Sequence, residues 1–249
     1  MKLQDKNTIV TGGASGFGAG IVARFLEEGA NVTIVDFDET AALAYMESLK
    51  SDCVHFEYAD LADGKSVAEL FDRLQTRWSR LDVLVNNAGT THLPALLEDV
   101  SEKDFDKVFA VNAKSVYYTS KFAVPWMKQQ AAGAIVNIAS TAALSPRPHL
   151  TWYNASKGWM VTATKSMAIE LASECIRVNA ICPVAGETPL LASFMGGDTP
   201  ETREKFLSSI PLGRFSTPED IAATALYLAS DEAAMITGVA LEVDGGRCI

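Results

Sequence analysis

A glycine-rich turn near the start of the chain limits the folds that the sequence can adopt. A short run rich in β-branched residues, from Asn7 to Thr11, gives way to glycines at positions 12, 13, 16 and 18, and the chain then opens into a helical stretch over about 17–28. Glycines placed in this way allow a tight turn and let backbone N–H groups approach a pyrophosphate at the N-terminus of the helix. The turn therefore predicts a β–α unit that binds a dinucleotide. A tight turn without any ligand is the alternative interpretation.

Apolar runs and helical stretches alternate along the rest of the chain. We expect further strands near 31–35, 54–58, 81–85, 134–138, 176–181 and 240–243, and helices near 39–50, 64–78, within 102–130, 151–174 and 218–229. This alternation indicates a parallel sheet that is covered by helices on both faces. The 249 residues contain no internal repeat, low-complexity tract or linker. We therefore predict one α/β domain over residues 1–249.

One region interrupts the alternation. The segment from Pro183 to Pro211 is long and contains several glycines and prolines. Long irregular segments inside compact domains are usually functional or mobile. We expect two short helices here, and we expect residues 187–211 to form a lid over a substrate.

Composition narrows the class of ligand. The chain has 21 Lys and Arg against 31 Asp and Glu, a formal net charge of −10, whereas nucleic acids and anionic membranes attract basic surfaces. The sequence therefore argues against both and leaves a small molecule as the partner. Its four cysteines and three histidines lack the spacing of zinc ligands, so no metal is predicted. Scattered cysteines, and an N-terminus without the apolar core of a signal peptide, indicate a cytoplasmic protein.

Polar and small residues follow three of the predicted strands. Asp36 ends the second strand, eighteen residues after Gly18, where a carboxylate can bind the adenosine ribose of NAD and repel the 2′-phosphate of NADP. No basic residue occupies positions 14, 15, 37 or 38, so the sequence favours NAD, with a helix-capping aspartate as the alternative. Asp60 and Leu61 follow the third strand, and the run 86–89 (Asn-Asn-Ala-Gly) follows the fourth. Ligands bind at this edge in such folds.

A tyrosine and a lysine lie four residues apart, at Tyr153 and Lys157. Four residues is about one helical turn, so both side chains can project from one face of a helix. An ammonium beside a phenol would lower the phenol's pKa and make it a proton donor and acceptor near neutral pH. The spacing alone is weak, because such pairs also occur on ordinary helix surfaces.

Together, these motifs resemble the short-chain dehydrogenase/reductase family in its compact form. The resemblance covers the whole chain, and the motifs stand in order and at the family's spacing: segment 11–18, Asp60, segment 86–89, Asn112, Ser140, Tyr153 and Lys157. It implies a Rossmann-like, doubly wound parallel sheet of seven strands in three α/β/α layers. It also implies a homotetramer that is assembled through the long helices. Two short segments, 186–189 and 244–247, are similar to a subgroup that includes 4-formylbenzenesulfonate dehydrogenase, with sugar dehydrogenases and 3-oxoacyl reductases close by.

The resemblance implies a role for each catalytic position. Tyr153 is the implied general acid/base, and Ser140 the implied hydrogen-bond partner of the substrate oxygen. Lys157 would hold the nicotinamide ribose and lower the pKa of Tyr153, while Asn112 would anchor a water that relays protons from Lys157 to solvent. The implied cofactor contacts are Gly12, Ser15, Gly16, Phe17, Gly18, Asp36, Phe37, Asp60, Leu61, Asn87, Ala88, Gly89, Tyr153, Lys157, Pro183, Val184, Gly186 and Thr188.

The chain departs from the family pattern after the sixth strand. Val184 follows Pro183 where the family usually has a glycine, and Gly186 comes two residues later. Thr188 is still placed to bond the nicotinamide carboxamide. The family pattern therefore leaves the backbone path through 183–188 open.

Several side chains are expected near the substrate, in a partly apolar pocket. Those expected from family geometry are Thr91, His92, Thr141, Ala142, His149, Trp152, Glu187, Leu190, Leu191, Phe194 and Met195. Arg147 could bind an anionic substituent through two parallel hydrogen bonds, although an exposed loop arginine is the alternative. The two histidines are equally consistent with pocket residues and with loop residues.

The sequence predicts an NAD-dependent oxidoreductase that moves hydride between nicotinamide and an alcohol, ketone or aldehyde. The expected substrate is a sugar, a cyclic alcohol or an aryl alcohol, with an anionic group as a further option. The alternative is a non-catalytic NAD-binding regulatory module, which would be expected to have lost Ser140, Tyr153 or Lys157. A sugar-nucleotide epimerase would need an additional C-terminal domain, for which this chain has no room.

Overall fold

The computed structural model describes residues 1–249, which form seven strands and nine α-helices. The strands are β1 Asn7–Thr11, β2 Asn31–Asp36, β3 Val54–Tyr58, β4 Val83–Asn86, β5 Gly133–Ile138, β6 Ile176–Pro183 and β7 Ala240–Val243. The helices are α1 Gly16–Glu27, α2 Glu39–Leu49, α3 Gly64–Arg77, α4 Glu102–Phe109, α5 Ser115–Gln129, α6 Thr151–Leu171, α7 Leu191–Met195, α8 Pro200–Leu207 and α9 Pro218–Ala229. None of these helices combines the length and the apolar character that a membrane crossing needs.

All seven strands are parallel and follow the order β3-β2-β1-β4-β5-β6-β7. The chain adds strands outward from β1 in one direction and then, after β3, returns to continue on the other side. This is a doubly wound, Rossmann-like sheet, as the sequence predicted. The reversal lies between β1 and β4, and its crevice at the carboxyl ends of the strands is where such folds bind ligands.

The two faces of the sheet carry separate apolar cores. Side chains alternate along each strand, so Val10 points into one core and its neighbour Ile9 into the other. The first core is closed by α1 and α9, with Phe25 among its fully buried residues. The second is closed by α3, α5 and α6, with Phe71 at its centre. Burial on both faces explains why the strands read as continuous apolar runs.

A buried chain of polar side chains ties the central strands to the helices behind them. Asn86 of β4 donates to Asn137 of β5 at 2.9 Å, and Asn137 donates to Thr164 of α6 at 2.8 Å. Thr119 of α5 donates to Asn86 at 2.7 Å. Because unpaired polar groups are costly in a core, this network favours a single arrangement of strands and helices beneath the crevice.

The long helix that the sequence predicted within 102–130 is present, but one turn of it is not α-helical. A π-helical turn at Ala110–Lys114 separates α4 from α5. A π-turn takes in one more residue than an α-turn and is common near functional sites. It turns the side chain of Asn112 inward, where it is fully buried.

The region after β6 contains the two short helices expected from the sequence, α7 and α8. They enclose a small apolar cluster with the chain around them, formed by Val184, Leu191, Met195, Ile210 and Phe215. This cluster is separate from the two main cores. The segment is therefore held to the domain by a limited apolar contact.

Candidate active site

The glycine turn forms a cradle that only glycine can make. Gly12 has φ 61°, and an added Cβ there would lie 2.9 Å from Ala88 Cα. A Cβ at Gly18 would lie 2.0 Å from the carbonyl oxygen of Gly12, so α1 could not begin so close to the turn. The Asn87 amide donates to the carbonyls of Thr11 and Gly12, each at 2.9 Å. The turn is thus fixed to β4, with the N-terminus of α1 facing the crevice.

Asp36 lies at the carboxyl end of β2, beside the glycine turn. Its carboxylate accepts hydrogen bonds from the backbone N–H groups of Ala14 and Asp38, both at 3.2 Å. Asp38 rather than Asp36 caps α2, by accepting from the backbone N–H of Ala41. The alternative interpretation of Asp36 as the cap of that helix is therefore wrong. Phe37, next to it, is 76% exposed.

Tyr153 and Lys157 lie on one face of α6, and both are buried. Burial raises the pKa of Tyr153 to about 12, while a hydrogen bond with the Ser140 side chain acts in the opposite direction and Cys182 nearby adds a smaller upward effect. The phenol of Tyr153 also packs edge-on against Phe194, with ring centroids 4.9 Å apart. The net direction opposes the lowering that the resemblance implied, because loss of solvent outweighs the favourable contacts.

Lys157 is buried close behind that tyrosine. Its Nζ donates to the carbonyl oxygen of Ile138 at 2.8 Å. Burial lowers the pKa of Lys157 to about 8, with Cys182 acting weakly in the opposite direction. Near neutral pH Lys157 is therefore still an ammonium, but it loses its proton at a lower pH than an exposed lysine does.

Asn112 holds α6 to the loop after β4. Its side-chain oxygen accepts from the backbone N–H of Thr90 at 2.8 Å, and its amide donates to the Thr90 carbonyl and to the Ser156 hydroxyl, each at 2.9 Å. A Cβ added at Gly89 would lie 3.5 Å from Lys157 Nζ and 3.6 Å from Asn112 Oδ1. Asn112 and Lys157 thus flank the same glycine, which is the proximity that a proton relay between them would need.

One cavity of about 610 Å³ joins these parts. Three of the four predicted catalytic residues line it, and Asn112 lies behind them. The predicted cofactor residues that line it are Gly12, Ser15, Gly16, Phe17, Asp36, Phe37, Asp60, Leu61, Asn87, Ala88, Gly89, Tyr153, Lys157, Pro183, Val184, Gly186 and Thr188. Gly18 is not in the wall but beneath it, where its missing Cβ makes room for the turn. A cradle of this shape, next to a carboxylate, fits a dinucleotide.

The path of the chain after β6 explains the departure at Val184. Val184 is buried in the small apolar cluster beneath α7 and α8. Gly186 pairs with Ser216 in an isolated parallel bridge, and a Cβ there would lie 2.2 Å from the ring of Phe17. The close approach that requires a glycine therefore occurs at Gly186, two residues after Val184. Thr188 lies against the turn, because a Cβ at Gly16 would be 3.2 Å from it.

Of the residues predicted near the substrate, five line the cavity, namely Thr141, Ala142, Arg147, Leu190 and Phe194, whereas Thr91 and Met195 do not. His92 is buried, and its Nδ1 contacts the carbonyl of Leu93 at 2.7 Å. Trp152 packs edge-on against Phe105 on α4 and donates to the Leu97 carbonyl. The remaining three do not line the cavity either: His149 is exposed in the loop before α6, Glu187 pairs with Arg203, and Leu191 is buried in the small apolar cluster. The side chains of these five residues lie in neighbouring packing or at the surface, outside the cavity wall.

Several residues around the cavity were not predicted from the sequence. Phe206 and Ser145 are in its wall, and Ser209 and Arg247 bond the residues of that wall. Cys182 lies behind Ser140 and close to Lys157. Their positions depend on how the last loops fold back over the sheet, so no local motif marks them. The position of Cys182 directly before Pro183 at the end of β6 was the one available signal.

Comparisons with known proteins agree with this geometry. Residues 12–247 match the family model described as enoyl-(acyl carrier protein) reductase. The chain is 45% identical over 260 residues to 4-formylbenzenesulfonate dehydrogenase of Comamonas testosteroni, with all of both chains covered. It is 38% identical over 253 residues to a 3-oxoacyl-[acyl-carrier-protein] reductase of Thermotoga maritima, again with all of both chains covered.

A solved structure has the same fold as this chain. The crystal structure of a 3-ketoacyl-(acyl-carrier-protein) reductase from Brucella melitensis, complexed with NADH, superposes with a TM-score of 0.94 at 44% identity and covers 99% of this chain and 100% of that one. The fold, the matched family and these relatives lead to one conclusion: the chain belongs to the short-chain dehydrogenase/reductase family.

Proposed function

We propose that the protein is an NAD-dependent dehydrogenase that interconverts an alcohol and the corresponding ketone or aldehyde. The observation that carries the proposal is the single cavity in which Ser140, Tyr153 and Lys157 face the glycine cradle and Asp36. Proton transfer and nucleotide binding thereby share one space. A regulatory module would not need to keep a buried tyrosine and lysine together there, because each costs stability when it is charged.

The residues divide the proton chemistry between them. NAD, when bound, supplies the hydride acceptor and a positive charge that favours a nearby phenolate. Ser140 would hold the substrate oxygen by a hydrogen bond, and Tyr153 would take the hydroxyl proton during oxidation or return it during reduction. Lys157 would supply positive charge to Tyr153 and bind the nicotinamide ribose. Asn112, which flanks Gly89 together with Lys157, would anchor the water that passes the proton to solvent.

Replacing the phenol tests the acid/base role directly. In Tyr153→Phe the ring and its packing against Phe194 remain, but the proton carrier is lost. We expect kcat to fall by roughly 10²–10⁴-fold, the range typical of general acid–base catalysis, while the Kd for NADH changes by less than about threefold. Turnover is followed as NADH formation over a panel of sugars, cyclic alcohols and aryl alcohols. Tyr227→Phe, at a 38% exposed tyrosine on α9, is the matched control, and a Tyr153→Phe variant that keeps most of its activity would disprove the role.

The charge of Asp36 supports NAD over NADP. Asp36 lines the cavity beside the turn, and the cationic side chains of the cavity wall, Lys107, Arg147 and Lys157, belong to other segments. Asp36→Asn keeps the size of the side chain and an acceptor for the Ala14 N–H but removes the charge. We expect the ratio of kcat/KM for NAD to that for NADP to fall at least about tenfold, one charged hydrogen bond being worth this much.

The neighbouring substitution Asp38→Asn is the control for that experiment. It removes the same charge two residues away, at an exposed position, and asparagine remains a good helix cap. It should leave the cofactor ratio close to that of the wild type. A wild-type enzyme that uses NADP as well as NAD would contradict the proposed preference.

A further inference from the structure

Two arginines near the cavity have no carboxylate partner, although the chain is strongly acidic. The sequence contains nine arginines and has a net charge of −10. Six of them form ion pairs with Asp or Glu side chains: Arg24, Arg73, Arg77, Arg80, Arg203 and Arg214. A seventh, Arg177, donates to backbone carbonyls around the end of α9. Arg147 and Arg247 are left with serine hydroxyls as their side-chain partners.

Arg147 is held rigidly in the cavity wall. It stands between Pro146 and Pro148, which restrict the backbone on both sides. Its guanidinium donates to Ser209 Oγ at 2.7 Å and lies 4.4 Å from the centroid of the Phe206 ring. The Arg147 carbonyl accepts from the side chain of Asn154, the residue next to Tyr153, at 2.8 Å. The guanidinium is thus fixed relative to the predicted acid/base, with most of its N–H donors unused.

Arg247 approaches the same place from the C-terminal segment. Its Nη1 donates at 2.9 Å to Ser145 Oγ, whose residue lines the cavity, and its Nε is buried without a partner. The nearby Asp244 forms no ion pair with it; the carboxylate oxygens of Asp244 accept from the backbone N–H groups of Gly246 and Cys248, both at 2.8 Å. Burial, and then the charge of Arg247, lower the pKa of Arg147. One guanidinium group thus lies in the cavity wall, and the other bonds a serine of the same wall from behind.

We propose that Arg147 and Arg247 form a site for an oxyanion substituent of the substrate, a carboxylate or a sulfonate, whose reacting carbon is presented to Tyr153. The inference rests on the proposed dehydrogenase function and names its substrate class. An oxyanion in the cavity would accept from the unused donors of Arg147, and the positive charge of Arg247 behind the wall would attract it further. The aromatic rings of Phe194 and Phe206, both in the cavity wall, line the space with apolar surface. The substrate class is therefore an alcohol or aldehyde with an apolar body and an anionic end, and not a neutral sugar.

Matched substrates test the proposal in the intact enzyme with NAD. The anionic substrates are 4-(hydroxymethyl)benzoate and 4-(hydroxymethyl)benzenesulfonate, and 4-methylbenzyl alcohol is the neutral analogue. We expect kcat/KM to favour the anionic substrates in the wild type by about tenfold to a hundredfold, the value of one or two charge-assisted hydrogen bonds. Arg147→Gln should reduce that ratio at least about tenfold, and Arg247→Gln should reduce it in the same direction. The control Arg24→Gln removes the same charge from a distant surface of α1 and should keep the ratio.

Binding of toluene-4-sulfonate to the NAD complex, measured by calorimetry against toluene-4-sulfonamide, separates this inference from the proposed function. Turnover of neutral and anionic alcohols with equal kcat/KM would overturn the anion site and leave the dehydrogenase function intact. A second outcome is that no alcohol is turned over, while sulfonate binds to the wild type and to Arg24→Gln but not to Arg147→Gln. This outcome would overturn the proposed function and retain the anion site. Wild-type binding that does not distinguish sulfonate from sulfonamide would overturn the inference whatever the activity.

Discussion

The burial of Lys157 in the site lowers the stability of the fold. The side chain is only 4% exposed, and burial lowers its pKa to about 8 from an ordinary value of 10.5. Below pH 8 the ammonium is charged in the folded and the unfolded chain, so the full cost of burying it is present. Between pH 8 and 10.5 the unfolded chain binds a proton that the folded chain does not, so the free energy of unfolding rises with pH in this window.

Removing the buried ammonium should therefore stabilise the fold at neutral pH. We expect Lys157→Met to lose activity, to unfold with a larger free energy than the wild type at pH 7, and to lose up to about 3 kcal/mol of that advantage by pH 10.5. The measurement is urea unfolding at fixed protein concentration over a pH series. Lys165→Met, at an exposed position of the same helix, should show no such pH-dependent difference. If the difference in free energy of unfolding between Lys157→Met and the wild type stays constant from pH 7 to 10.5, the cost assigned to burying the ammonium is wrong.

At the scale of elements, the segment 187–211 is the part of the site most suited to motion. It contains α7 and α8, and its buried apolar side chains pack with Val184 and Phe215 in a cluster that is separate from the two main cores. Gly196 and Gly197, both with positive φ, stand between the two helices. Segments with few buried apolar contacts open at low free energy. These features support our proposal that 187–211 is a lid over the substrate.

Arg203 is the contact that would hold this lid together. Its guanidinium reaches Glu187 at 3.1 Å and Asp198 at 2.9 Å, so it joins the beginning of the lid to its middle. In Arg203→Gln we expect faster amide hydrogen exchange across 187–211 and a KM for the substrate that is raised about twofold to fivefold, since exposed ion pairs are worth no more than about 1 kcal/mol each. Arg24→Gln, which also breaks ion pairs with two glutamates, is the control. If NAD and substrate together leave exchange in 187–211 unchanged, the segment is not a lid.

The elements differ in how well the sequence predicted them, and the reasons are physical. Strands such as β3 and β7 and the helix α9 begin and end where the sequence placed them, because apolar runs and capping residues are local signals. The π-turn at Ala110–Lys114 was missed because its cause is tertiary: Asn112 bonds with Thr90 and Ser156, which lie on other elements. Local periodicity contains no information about such partners.

The two sides of the site also differ in how well the sequence predicted them. The nucleotide side follows from strand ends and a glycine turn, so its predicted residues come together in one cavity wall. The substrate side is built by loops, and there His149 and Trp152, both close to Tyr153 in sequence, do not reach the wall. Arg247, almost a hundred residues beyond Tyr153, instead bonds Ser145 of that wall. No spacing rule connects residues that meet only because a late loop folds back over the sheet.

For the whole molecule, the apolar surface of the long helices supports assembly of several copies. Ile169 is 81% exposed and Trp159 40% exposed on α6, and Tyr117 is 52% exposed on α5. Large exposed apolar patches commonly mark an interface. We propose a homotetramer built on α5 and α6. We also propose a cytoplasmic location, which the four free cysteines would suit.

A charge placed on that surface tests the assembly. We expect the wild type to have a mass four times that of the 26.7 kDa chain by size exclusion with light scattering. Ile169→Glu should shift it toward dimers or monomers, because a carboxylate would be buried without a partner. Leu43→Glu, at a 43% exposed position on α2, should leave the mass unchanged. A wild-type protein that is monomeric at micromolar concentration would rule out the tetramer.

The π-turn between α4 and α5 has a consequence for which changes of chain length the protein can tolerate. A π-turn takes up one residue more than an α-turn, so deleting one residue from Ala110–Lys114 would restore a plain α-helix and leave α4 and α5 close to their present orientation. Asn112 would then lose its place beside Thr90 and Ser156. A deletion in this five-residue stretch would thus disturb the proton path, although no catalytic residue had been substituted. The active site therefore depends on the number of residues between α4 and α5.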